Sequence, residues 1–203
     1  MSLRLSGGRR LQSPPGDSAR PTPSRVRLAV MNRLAPELQG CRWLDLCTGS
    51  GVMACEALQR GARSVVAVEH DRRNAAVARA NLEAVLAGLA RPAEIAVHCA
   101  EVRRWLHRPR QLPEKELAGH QPEKPLAPFD LIYADPPYAS GIYGAIATEV
   151  HRGGWLAGGG RLILECASAA KPQIPESWQL EDERRYGTTS VLFLEQVPGQ
   201  PEG

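Results

Sequence analysis

No stretch of the 203 residues approaches the roughly 20 consecutive apolar positions that a membrane-spanning helix needs. The first residues carry arginines but no apolar core of a secretory leader, so a cytoplasmic setting without a membrane partner is expected. Cysteines are few and unmatched: Cys41, Cys47, Cys55, Cys99 and Cys166 are odd in number and form no Cys-x-x-Cys pair. That argues against a disulfide framework and a zinc site, and for reduced thiols. His70, His98 and His107 have no metal-ligand spacing, and no metal is expected. Lysine is scarce, with three against 22 arginines.

What is present fits one domain of ordinary soluble composition, 43% hydrophobic and 23% charged. The charge is segregated. Residues 1–35 hold seven arginines and a single acid, Asp17, whereas 36–203 hold 18 basic and 21 acidic residues. A basic lead-in on a mildly acidic body suits a polyanionic partner. Arg9, Arg10, Arg20, Arg25 and Arg27 are the candidate phosphate contacts. Pairing of some of them with the acidic body is the competing reading.

The pattern divides at about residue 35. Residues 1–23, rich in Gly, Pro, Ser and Arg, read as an extended arm with room for one short hairpin. Ser24 is placed to cap a helix carrying Val26, Val30, Met31 and Leu34 at helical spacing until Pro36. Arm and helix (1–35) form a lead-in to a main domain, 36–203. There, strands are expected over Arg42–Leu46, Ser64–Val68, Glu94–Cys99, Phe129–Ala134 and Arg161–Glu165. Helices are expected over 52–60, about 72–88 (burying Ala76, Val77, Ala80, Val85 and Leu89), 101–107 and around 142–151. The run 108–128 holds five prolines and breaks this rhythm, as a mobile insertion would. Trp178–Tyr186 and Ser190–Gln196 are joined through Gly187, which implies an antiparallel hairpin. The whole predicts an α/β fold, a mostly parallel seven-stranded sheet with helices on both faces and an antiparallel C-terminal hairpin.

In such sheets, ligands collect at the carboxyl ends of the strands. Asp45, Gly49, Gly51, Glu69, Cys99 and Asp135 all fall at or just after predicted strand ends. The run Asp45-Leu46-Cys47-Thr48-Gly49-Ser50-Gly51 is a glycine loop between strand and helix, where backbone can approach a ligand and a helix N-terminus favours an anionic group. Glu69, 18 residues beyond Gly51, can accept both hydroxyls of a ribose. Gly49 to Ala54 also satisfies the loose glycine string of NAD-binding folds. An S-adenosylmethionine (SAM) reading gives Asp45 a role, facing the ammonium of the methionine moiety, that a pyrophosphate cofactor does not offer.

Asp135-Pro136-Pro137-Tyr138 tips the balance the same way. Two prolines stiffen the turn that leaves the strand. The Asp135 carboxylate and the Pro136 carbonyl are thereby held as an acceptor pair for the two hydrogens of an exocyclic amine. Tyr138 supplies a face on which a base can stack. This has an obvious use in methyl transfer to an amine and none in hydride transfer.

The chain resembles the class I SAM-dependent methyltransferases, and more closely the RsmD family of bacterial 16S rRNA guanine-N2 methyltransferases. The resemblance rests on Gly7-Gly8-Arg9-Arg10-Leu11, Arg20-Pro21-Thr22, Arg25-Val26-Arg27, the loop Leu44 to Gly51, Glu56-Ala57, Arg60-Gly61-Ala62, Val68-Glu69 and Asp135-Pro136-Pro137-Tyr138. It implies a Rossmann-like fold, SAM held by Asp45, Gly49, Gly51, Glu69 and Asp135, and a partner in 16S rRNA, either naked or within an assembling small subunit; the sequence leaves the oligomeric state open, with a monomer favoured. It implies catalysis by Asp135, Pro136 and Tyr138, with Tyr138 also meeting the substrate. Cys99-Ala100 stand where the family usually has Asp or Asn before Ala to contact adenine. The same turn also serves N6-adenine, N4-cytosine and protein glutamine methylation, and a non-catalytic RNA-binding relative is the further alternative.

Overall fold

A computed structural model describes residues 3–14, 23–108 and 126–198. Seven strands form one sheet: β1 Arg42–Leu46, β2 Ser64–Glu69, β3 Glu94–Cys99, β4 Phe129–Ala134, β5 Leu156–Ala167, β6 Trp178–Tyr186 and β7 Thr189–Gln196. Their order is β3-β2-β1-β4-β5-β7-β6. The first five are mutually parallel, and β7 runs antiparallel to both β5 and β6. The expected seven-stranded sheet with its terminal hairpin is therefore observed. β5 begins earlier than its sequence predicts, because it runs on through Gly158–Gly160 with a register shift against β4.

Alternation along the strands splits the core into two layers. Trp43, Val65, Leu131, Ile163 and Phe193 face α1 (Ser24–Arg33), α3 (Val52–Gln59) and α4 (Arg72–Leu86). Leu44, Leu46, Val66, Ile132 and Leu162 face α5 (Val102–Leu106) and α6 (Tyr143–Arg152). Each such fully buried aliphatic side chain contributes about 1.5–3 kcal/mol. A short helix, α2 (Ala35–Leu38), joins α1 to β1 and carries Pro36 in its first turn, where a missing N–H costs nothing.

Two local expectations are corrected. Ser24 is the first residue of α1, its cap position is Pro23, and no side chain caps it. The buried face of α4 is Asn74, Ala75, Ala78, Asn81, Leu82 and Val85, rotated from the one expected. Two asparagines on that face disguise it in a search for apolar spacing. Asn81 is buried because its amide donates to the Ser50 carbonyl (2.9 Å) and the Gln12 carbonyl (3.0 Å), and accepts from Gln12 N (2.8 Å). One side chain thus ties the lead-in, the glycine loop and α4 together.

The lead-in is part of the same body. An isolated bridge pairs Arg4 with Arg10, closing a tight turn, and Leu5 and Leu11 are buried in the core layer that holds α1 and α3. Most of the run read as an insertion, 109–125, lies outside the described residues.

The chain leaves β1 outward to β2 and β3, then returns to place β4 against the other side of β1. A crevice opens where the direction reverses. Leu46 pairs with Ala134, so the loop after β1 and the turn after β4 start side by side.

Candidate active site

A cavity of about 530 Å³ occupies that crevice. It is lined by Asp45, Gly49 and Glu69 from one side and by Asp135, Pro136 and Tyr138 from the other. The two motifs are stitched together by backbone: Asp135 N donates to the Leu46 carbonyl at 3.3 Å, and Thr48 N to the Val68 carbonyl at 3.1 Å.

Asp45 lies at the base, 1% exposed, and accepts from Ala54 N at 2.9 Å. Burial pushes its carboxyl up to about 7, against the opposing pull of Thr48, the Ala54 N–H and Trp43, and Glu69 pushes it the same way. Glu69, expected at a ribose, is engaged by the glycine loop. One oxygen accepts from Gly49 N (2.8 Å), the other from Asp71 N (2.9 Å), with His70 Nδ1 at 3.0 Å. The oxygen facing Gly49 has a second lone pair, so further acceptance stays open there.

The glycine loop carries its strain at Cys47, whose φ of 60° is left-handed for a residue with a Cβ. Its thiol is held far above the usual range by burial first and by Glu69, Asp135 and Asp45 next, so it is no nucleophile. All five cysteines are free thiols. Gly51 needs its freedom for a reason different from ligand approach. Its φ is +75°, and a Cβ there would stand 3.1 Å from that of Ala78, so glycine lets α3 and α4 pack. Gly51 is not among the residues lining the cavity.

On the opposite wall, Pro136 is buried and its carbonyl accepts from the Tyr143 hydroxyl at 3.3 Å. Burial, followed by Asp135, raises the Tyr143 phenol and keeps it a donor. Tyr138 is 43% exposed at the mouth, its hydroxyl sharing a 3.2 Å hydrogen bond with Thr189. Glu165, within β5 just past its last residue paired with β4, also lines the cavity and accepts from the buried Tyr133 hydroxyl. Tyr143, Tyr133, Thr189 and Glu165 went unread in the sequence. For Glu165 the signal was present, a carboxylate ending a predicted strand.

Other expected site residues fall elsewhere. Cys99 and Ala100 are not among the cavity-lining residues; the exposed Cys99 thiol approaches the His70 carbonyl at 3.7 Å. Arg27, expected at phosphate, is buried: its Nε meets Glu56 at 3.1 Å and another nitrogen donates to the Arg4 carbonyl at 2.6 Å. Arg9 donates to the Ala84 carbonyl at 2.8 Å in the last turn of α4, at the opposite end of that helix from cavity-lining Asn74. Arg10 and Arg25 are exposed. Arg20 lies outside the described residues.

The lining fits SAM better than a dinucleotide. Asp45, Glu69, Asp135 and Glu165 line it, and no lysine or arginine does among the described residues. That field favours a sulfonium and an ammonium and opposes a pyrophosphate.

Among doubly wound sheets, this strand order with a reversed β7 defines the class I methyltransferases. A family model described as Conserved hypothetical protein 95 matches residues 5–195, and the chain belongs to that family, the RsmD-like methyltransferases. It is 26% identical over 206 residues to ribosomal RNA small subunit methyltransferase D of Escherichia coli K12, covering 98% of this chain and 93% of that one. Among solved structures, the Escherichia coli protein yhhF matches with a TM-score of 0.75 at 26% identity, over 97% of this chain and 98% of that one. A hypothetical protein of Thermus thermophilus matches with a TM-score of 0.67 at 27% identity, over 96% and 99%. No described helix is long and apolar enough to cross a membrane.

Proposed function

We propose that this methyltransferase moves the methyl group of SAM to the exocyclic N2 of a guanine in 16S ribosomal RNA of the small subunit. The observation that carries the proposal is that Asp135 and Pro136 open onto the same cavity as Asp45 and the glycine loop. The relative in Escherichia coli, named for methylation of small-subunit ribosomal RNA, supports the substrate class.

Asp45, Gly49 and Glu69 would hold SAM, with Asp45 facing its ammonium and Glu69 its ribose. When bound, SAM supplies a methyl group made electrophilic by its sulfonium. A guanine N2 lone pair is delocalised into the ring and is a poor nucleophile. Asp135 and the Pro136 carbonyl, accepting its two hydrogens, draw the nitrogen towards tetrahedral geometry and aim the lone pair. Most of the catalysis is then positioning. Asp135 need not be a strong base, because the proton leaves only after the amine has become cationic. The base must be unstacked to enter, and Tyr138 replaces the lost stacking. Arg10, Arg20 and Arg25 are the remaining candidates for RNA phosphate contacts.

The test is incubation with labelled SAM and unmodified small-subunit RNA, with and without its proteins, followed by nucleoside analysis. The expected product is N2-methylguanosine. Label in N6-methyladenosine or N4-methylcytidine, or no label in RNA at all, overturns the assignment.

A further inference from the structure

Glu165 is the cavity carboxylate that the scheme above leaves without work. Its place follows from register. Ala134 pairs with Leu164, so the next residues, Asp135 just past the end of β4 and Glu165 within β5, stand abreast, about 5 Å apart between backbones. Alternation points both to the face that carries Tyr133 and Ile163, and both line the cavity with Tyr138. Glu165 is 1% exposed, and the Tyr133 hydroxyl donates to one of its oxygens. Tyr133 is itself fixed, stacked on Trp43 with ring centroids 6.0 Å apart. The carboxylate is therefore held in one orientation in the wall beside the Asp-Pro-Pro-Tyr turn.

A carboxylate can only accept. Next to the amino group that Asp135 and Pro136 receive, a guanine carries N1–H, a donor. Adenine beside its N6 amine carries N1, and cytosine beside its N4 amine carries N3, both acceptors. An acceptor facing a buried carboxylate is repelled and returns no hydrogen bond for the water it displaces, which is the stronger form of discrimination. We infer that Glu165 is a specificity-determining residue that accepts the N1–H of the target guanine, held for that task by Tyr133. This rests on the guanine-N2 reading above, and it explains why a turn common to several amine methyltransferases would act here on one base.

The experiment compares two RNAs with the wild-type protein. Once the modified position has been mapped, ligation places 2-aminopurine at that position, which keeps the 2-amino group but presents N1 as an acceptor. Wild-type kcat/KM is expected to fall about 30-fold or more on the analogue. Glu165→Gln keeps an oxygen for the Tyr133 hydroxyl and offers an NH2 to the cavity. Assayed at saturating SAM, it is expected to lose about 30-fold on guanine RNA and to narrow the preference over 2-aminopurine to a few-fold. Equal wild-type rates on both RNAs overturn the role of Glu165 while leaving guanine-N2 transfer intact, and need no variant. An undiminished preference in Glu165→Gln does the same. Tyr133→Phe, expected to show a smaller loss in the same direction, serves if Glu165→Gln does not fold. Absence of N2-methylguanosine with unaltered RNA would instead remove the underlying reading.

Discussion

The Tyr143 hydroxyl donates to the carbonyl of Pro136 at 3.3 Å, fixing from behind the oxygen that would receive one hydrogen of the substrate amine. A carbonyl accepts two hydrogen bonds, so the tyrosine leaves the front lone pair available while setting its direction. Tyr143→Phe removes only the hydroxyl. Stability should fall by about 1 kcal/mol, SAM affinity should not change, and kcat should drop roughly 10- to 100-fold from misaligned acceptance. A SAM titration beside single-turnover methyl transfer separates these effects.

Asp135 carries the more severe test. Asp135→Ala leaves the glycine loop and Asp45 in place, so SAM binding should persist within a few-fold. Methyl transfer should fall by orders of magnitude, on the order of 10³-fold, because aim and charge are lost together. Near-full activity in this variant would remove the catalytic role given to the residue.

Arg27 should act on stability rather than on RNA. Its ion pair with Glu56 is buried, 5% and 0% exposed. Glu56 also accepts from Ser6 N at 2.8 Å and Ser6 Oγ at 2.6 Å. Arg27→Met leaves the buried Glu56 carboxylate with Arg60 Nε at 3.6 Å as its remaining cation and should cost about 3 kcal/mol. Thermal unfolding should register this as a Tm lower by roughly 10 °C. Arg25→Ala, by contrast, should leave Tm unchanged and reduce the salt dependence of RNA binding by about one counterion.

The Asp45 carboxyl, pushed up to about 7 by burial, predicts opposite pH effects on folding and on binding. Unfolded, the group titrates near ~4. Between those values the native state holds the extra proton, so this group makes stability fall as pH rises from about 4 to 7, by a few kcal/mol. A cationic ligand favours the ionised form, so SAM affinity should weaken as pH drops below about 7. Urea unfolding of wild type and Asp45→Asn at pH 5 and pH 7.5 isolates the folding effect. The variant should gain on wild type at the higher pH, and an identical pH dependence in the two proteins would contradict this account.

Much of the site was legible because strand ends can be read. Asp45, Glu69 and Asp135 were each recognisable as a carboxylate closing an apolar run, and parallel strands bring such ends to one edge. Glu165 satisfied the same rule, but no neighbouring motif drew attention to it. Arg27 misled because a charged residue reads as solvated until its buried partner is known, and Glu56 lies 29 positions away. The face of α4 misled because Asn81 is buried to bond with Gln12 and Ser50, a purpose that no periodicity of apolar residues encodes.

Local chemistry written in the chain was enough to determine the strands, the glycine loop, the stiff di-proline turn and the family. These follow from propensity, proline and glycine stereochemistry, and short-range spacing. Tertiary structure alone decided which arginines face solvent, why Gly51 must lack a side chain, and that Tyr143 and Glu165 stand around the turn. Those depend on contacts between residues distant in sequence, and only the packing of helices and the register between β4 and β5 bring them within reach.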